Sequence, residues 1–152
     1  MKNTPVGKYH FELAVIMRNA ILISATLSCS EVWYGVKEVD YRMLEQTDEM
    51  LLKKILNCSS QIPLEMLYLE LGVMPIRFII LLRRLTYLQH ILKQEQRNTL
   101  IFQFFKAQLE NPKQNYWVTN VMKDLEKVDI NLELIEIQNY LKKSLRNYVK
   151  KR

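Results

Sequence analysis

The stretch "LELGVMPIRFIILLRRL", residues 69–85, decides how this chain folds. Gly72 suits the left-handed residue that ends a helix. Pro75 suits the first turn of the next one. The stretch therefore predicts a helix, a sharp corner and a second helix. The second helix is apolar enough for a core, yet it carries Arg77, Arg83 and Arg84. Those arginines must meet a carboxylate inside the fold or an acidic partner outside it.

The same pattern extends in both directions. The chain has 152 residues with only 3 Gly and 4 Pro, too few turn residues for many short strands. Helical spacing predicts seven segments: about Tyr9–Ser28, Val39–Asn57, Pro63–Gly72, a fourth from Pro75, Thr99–Leu109, Tyr116–Val128 and a last one from about Leu132. The expected fold is all-α, a single helical bundle of about six to seven helices occupying residues 1–152 as one domain. The apolar residues of the first helix surround its axis, as in a central buried helix. On the fourth, Phe78, Leu81, Leu85, Leu88 and Leu92 form the main apolar stripe, with Arg77 and Arg84 along its border. Trp33 and Tyr34 of "SEVWYGV" are expected to anchor a corner in the core.

Two polar residues need partners within this scheme. Arg18 lies in the first helix, with Glu12 and Glu31 as candidate partners. Asp48 lies in the apolar stripe of the second helix, seven residues after Tyr41 and seven before Ile55. An unpaired charge at either place would be costly, so both read as structural. No second carboxylate or metal-binding partner accompanies Asp48, which argues against catalysis.

Charge is unevenly spread. Residues 1–72 carry 7 Lys/Arg against 9 Asp/Glu, a net of −2, while residues 73–152 carry 15 against 7, a net of +8. The basic half suits a polyanion. Its end, a helix expected over about 132–152, repeats Leu134, Ile137, Leu141, Leu145 and Tyr148 on one side. The opposite side ends in Lys143, Arg146 and Lys150, with Lys151 and Arg152 following. Cys29 and Cys58 stand alone, so no metal site is expected and the thiols read as reduced, in an intracellular setting. No apolar run approaches the roughly 20 residues that span a membrane. Phosphate-binding loops, nucleophile elbows and zinc motifs are missing from the sequence, so neither an enzyme nor a cofactor is expected.

Five blocks resemble the region that follows the polymerase core in LINE-type (non-long-terminal-repeat) retrotransposon reverse transcriptases: "VGKYHFELA", "SCSEVWYGV", "LEQTDEMLLKKIL", "PLEMLYLELGVMPIRFIILLRRLTYLQHIL" and "FFKAQLENPKQNYWV". They occur in the order that family shows and cover roughly residues 6–128. The resemblance implies a piece of a retroelement polyprotein, nuclear or cytoplasmic, lying near the thumb. The parent family's RNA-directed DNA polymerase activity is not expected here, because its metal-holding Asp-Asp turn and its endonuclease domain are both missing. The implied partners are template RNA or an RNA–DNA duplex, met through phosphates, and the polymerase core of the parent protein. The implied contacts are Arg77, Arg83, Arg84, Lys142, Lys143 and Arg146. For Arg77 and Arg84 an internal role remains equally open, with Glu70, Glu65 or Asp48 as partners.

Overall fold

The computed structural model describes residues 5–97, 99–111 and 116–128. Among them are six α-helices and no strand, so the protein is all-α. These are α1 (Pro5–Met17), α2 (Glu38–Leu56), α3 (Leu64–Leu71), α4 (Ile76–Lys93), α5 (Leu100–Glu110) and α6 (Trp117–Lys127). The helix expected from about Leu132, with Lys142, Lys143 and Arg146, lies outside the described residues. By its contacts the chain forms two compact units, one of residues up to 28 with 37–77, the other of residues 29–36 with 78 onward.

In the first unit, α1 does not stop at Met17 but widens into a π-helical segment, Arg18–Thr26. Ser24 Oγ donates to the Asn19 carbonyl, five residues back, at 2.8 Å. The widening has a physical consequence for burial. At about 4.4 residues per π turn, positions 18, 22 and 27 fall into line, whereas at 3.6 per turn Leu27 would stand opposite Arg18. Arg18, Leu22 and Leu27 are all buried, continuing the line of Ala14. The helix is thus buried along one line only. Ile16 is 63% exposed and Ile21 50%, so the expectation of burial all round is corrected.

The helix α2 opens with the Lys37 amide donating to Asp40 Oδ2 at 2.8 Å, and the Asp40 charge favours a helix N-terminus. Leu52 of α2 packs with Leu67, Tyr68 and Val73 to form the core of this unit. At the corner, Gly72 takes φ +62°, and the Val73 amide reaches back to the Tyr68 carbonyl at 3.1 Å. That six-to-one bond ends α3 and releases the chain into α4.

In the second unit, Leu85, Leu88 and Ile91 of α4 pack with Phe105 of α5 and with Val118, Val121 and Leu125 of α6. The Tyr87 and Trp117 rings meet edge to face, centroids 5.6 Å apart. The buried line of α4 runs Ile76, Ile80, Arg84, Leu88, Ile91, with Leu85 beside it. Phe78, expected to head the core stripe, is 54% exposed, and Arg84 sits on the buried face and not at its border.

Candidate nucleic-acid interface

The first polar cluster joins the α–π junction to α2. Arg18 Nε donates to Asp48 Oδ1 at 2.8 Å and Nη2 to Oδ2 at 2.7 Å. Nη2 also reaches the Met74 carbonyl at 2.9 Å. Tyr68 donates its hydroxyl to Asp48 Oδ2 at 2.8 Å, and its ring lies 5.4 Å from the guanidinium carbon. Burial first, and then the Asp48 charge, push the Tyr68 phenol well above its ordinary pKa. Both Asp48 oxygens are bonded to donors, which suits a structural carboxylate.

Arg77, in the first turn of α4, clamps α2. Its Nε donates to Glu45 Oε1 at 2.5 Å, and Nη1 and Nη2 take the two oxygens of Glu38 at 2.9 and 2.6 Å. The guanidinium carbon also lies 5.2 Å from the Tyr41 ring centre. Glu38, Tyr41, Glu45 and Asp48 are spaced three, four and three apart, so one face of α2 presents all four. Hydrogen bonds to Glu45 and then Glu38 hold the Arg77 guanidinium above its ordinary pKa.

The other two arginines fasten residues 29–36 to α4. Arg84 Nη1 donates to Asp124 Oδ2 at 2.8 Å and Nη2 to the Trp33 carbonyl at 3.0 Å. Its Nε is buried without an acceptor among the described residues. Arg84 is 3% exposed and its guanidinium is engaged by Asp124 and the Trp33 carbonyl, the internal alternative the sequence left open, with a carboxylate other than Glu70, Glu65 or Asp48. Arg83 is half-buried and donates to Ser30 Oγ at 3.3 Å, one of its contacts. Trp117 Nε1 donates to the Glu31 carbonyl at 2.7 Å, closing the same corner. So Trp33 serves through its backbone, Tyr34 is exposed, and the aromatic anchor is Trp117.

Of the expected contacts, the structure places Arg77 against Glu38 and Glu45, Arg84 against Asp124, and Arg83 beside Ser30. Sequence reasoning missed Asp124. It sits seven residues after Trp117 and three after Val121, on the same face that buries Val118, Val121 and Leu125, and that spacing was the available signal. No group of three His, Cys, Asp or Glu that could hold a metal exists among the described residues, and no described helix is long and apolar enough to cross a membrane. No protein-family model, curated protein or solved structure matches this chain.

Proposed function

We propose that this chain is a non-catalytic helical piece of a LINE-type retrotransposon reverse transcriptase, and that it contacts template RNA or an RNA–DNA duplex through the basic stretch holding Lys142, Lys143 and Arg146. The observation that carries the reading is the ordered run of five sequence blocks over roughly residues 6–128. The charge split, −2 in residues 1–72 against +8 in residues 73–152, supports a polyanion partner for the second half. With Arg84 engaged internally and Arg77 held between two carboxylates, the C-terminal cations are the ones best suited to phosphate. Binding of this kind is weak, largely blind to sequence and sensitive to salt. Each neutralised duplex phosphate contributes about −0.9 to the slope of log affinity against log salt. A salt series of fluorescence-anisotropy titrations on a short RNA–DNA duplex tests it, and an affinity that does not change with salt removes the mechanism.

A second reading makes the chain a docking scaffold for the polymerase core of the parent protein. On α5, Leu100 is 67% exposed and Phe104 61%, with Ile101 beside them. Large apolar residues grouped on one helix mark a protein contact more often than a solvated surface. Titrating the purified chain with a hydrophobic dye checks it: no fluorescence gain would count against a docking surface, and Phe104→Lys should reduce any gain seen.

A further inference from the structure

Residues 29–36 form a pinned corner of the second unit. It opens with a 3₁₀ turn, Ser30–Val32, in which the Val32 amide donates to the Cys29 carbonyl at 3.1 Å. Side chains of α4 and α6 then fix it at three points: Arg83 on Ser30 Oγ, Trp117 on the Glu31 carbonyl and Arg84 on the Trp33 carbonyl. The next residue, Tyr34, is 66% exposed. Gly35 follows at φ +66°, and a Cβ built there would meet no described atom within 4 Å. The corner therefore holds its backbone in place and presents one aromatic ring beside open space.

The helix that pins it carries no acid. From Leu71 to Gln94, 24 residues, there is no Asp or Glu, where the whole chain has 16 in 152. Arg83, His90 and Lys93 are spaced seven and three apart, so they share one face of α4. His90 and Lys93 are exposed and Arg83 is half-buried. The three span about 15 Å along the helix axis. Phe78, the exposed large apolar residue of α4, lies about 140° around the helix from Arg83.

We infer that Tyr34 and this face of α4 form a site for single-stranded nucleic acid. An unpaired base stacks on the Tyr34 ring while the backbone runs along Arg83, His90 and Lys93. Charge complementarity selects a polyanion, and His90 can donate to a phosphate oxygen beside the two cations. The ring selects the kind of polyanion. Every base has a face that stacks on an aromatic side chain, and a strand with unpaired bases can offer it. A protein partner would need a broader apolar core, and a membrane would need apolar residues to insert. The corner offers only Val32 and Tyr34 for that, and the Arg83–Lys93 face offers none. The partner class is that of the proposed function, but the site is separate from Lys142, Lys143 and Arg146 and does not rest on them.

Anisotropy titrations of the full chain test it, with a short labelled DNA strand of mixed sequence, alone and annealed to its complementary RNA. Tyr34→Ser is expected to weaken single-strand binding about fivefold or more while leaving its salt slope and the duplex affinity unchanged. Tyr34→Phe keeps the ring and should keep the binding. Lys93→Glu should lower the single-strand salt slope by about 0.7. The Tyr34→Ser loss should persist in the Lys142→Glu/Lys143→Glu/Arg146→Glu background, which separates this site from the C-terminal one. Single-strand binding that ignores Tyr34→Ser overturns the inference. So does an equal loss on strand and duplex, a salt slope that Lys93→Glu leaves unchanged, or a wild-type chain that does not bind the strand at low salt.

Discussion

Arg18 and Asp48, thirty residues apart, meet through two donors at 2.8 and 2.7 Å with neither side chain more than 2% exposed. The pair joins α2 to the point where the first helix changes pitch. Breaking it on one side leaves an uncompensated buried charge. Asp48→Ala is expected to cost about 3–5 kcal/mol, with Arg18→Met costing a similar amount. The triple replacement Arg18→Met, Asp48→Leu, Tyr68→Phe removes every member at once and should recover most of that loss. Urea denaturation at pH 7 measures all three. If the triple variant were as unstable as the singles, the pair would not be acting through desolvation.

Tyr68 gives the same cluster a dependence on pH. Its folded-state phenol is held above the usual value of about 10, because burial and Asp48 both disfavour the phenolate. Below pH 10 the folded and unfolded states both keep the proton and stability does not change. Above it the unfolded phenol ionises while the folded one does not, so stability falls as pH rises. Denaturation midpoints for wild type and Tyr68→Phe should therefore diverge as pH passes about 10, with wild type losing more. Parallel curves would show that Tyr68 titrates normally in the fold.

Arg77 makes a different kind of contact. Its side chain is 38% exposed, so solvent screens its two carboxylate partners. Arg77→Lys keeps the charge and loses the fork that takes both oxygens of each glutamate. The expected cost is about 1 kcal/mol or less, shrinking in 1 M NaCl. A loss that salt leaves unchanged would point to packing against Tyr41 as the larger contribution.

Arg84 holds residues 29–36 in place through the Trp33 carbonyl while neutralising Asp124. Arg84→Met is expected to cost about 3 kcal/mol, and Asp124→Leu in the same chain should restore part of it. Amide hydrogen exchange at Tyr34–Val36 should speed up in both variants, because neither supplies a donor to that carbonyl. Unchanged exchange would mean the corner is held by Ser30 and Trp117 without it.

The helices are legible in the sequence because their periodicity is strong and their ends are marked: Gly72, Pro75 and the Asn57 connector sit where the chain turns. Asp48 stands out for the same reason, as an acid inside an apolar stripe. Its partner is harder to find. Arg18 reaches Asp48 across thirty residues, and the pitch change that lines Arg18 up with Leu27 leaves no mark in a pattern read at 3.6 residues per turn. The buried face of α4 is misread from the sequence because Phe78 is the larger apolar residue. Packing instead follows Ile76, Ile80 and Leu88, with Arg84 admitted because Asp124 faces it from α6. Trp33 illustrates a further limit, since a backbone carbonyl can be the anchor where the ring draws the eye.

The cations divide by role. Arg18, Arg77 and Arg84 belong to the fold, and the proposed nucleic-acid contact falls to Lys142, Lys143 and Arg146. The direct measurement is anisotropy binding to a short RNA–DNA duplex at low and moderate salt, comparing wild type, Arg77→Gln and Lys142→Glu/Lys143→Glu/Arg146→Glu. The expected result is salt-sensitive binding that Arg77→Gln leaves intact and the triple substitution abolishes, or leaves with a salt slope smaller by about two to three. Binding that survives the triple substitution and is lost with Arg77→Gln would contradict that division.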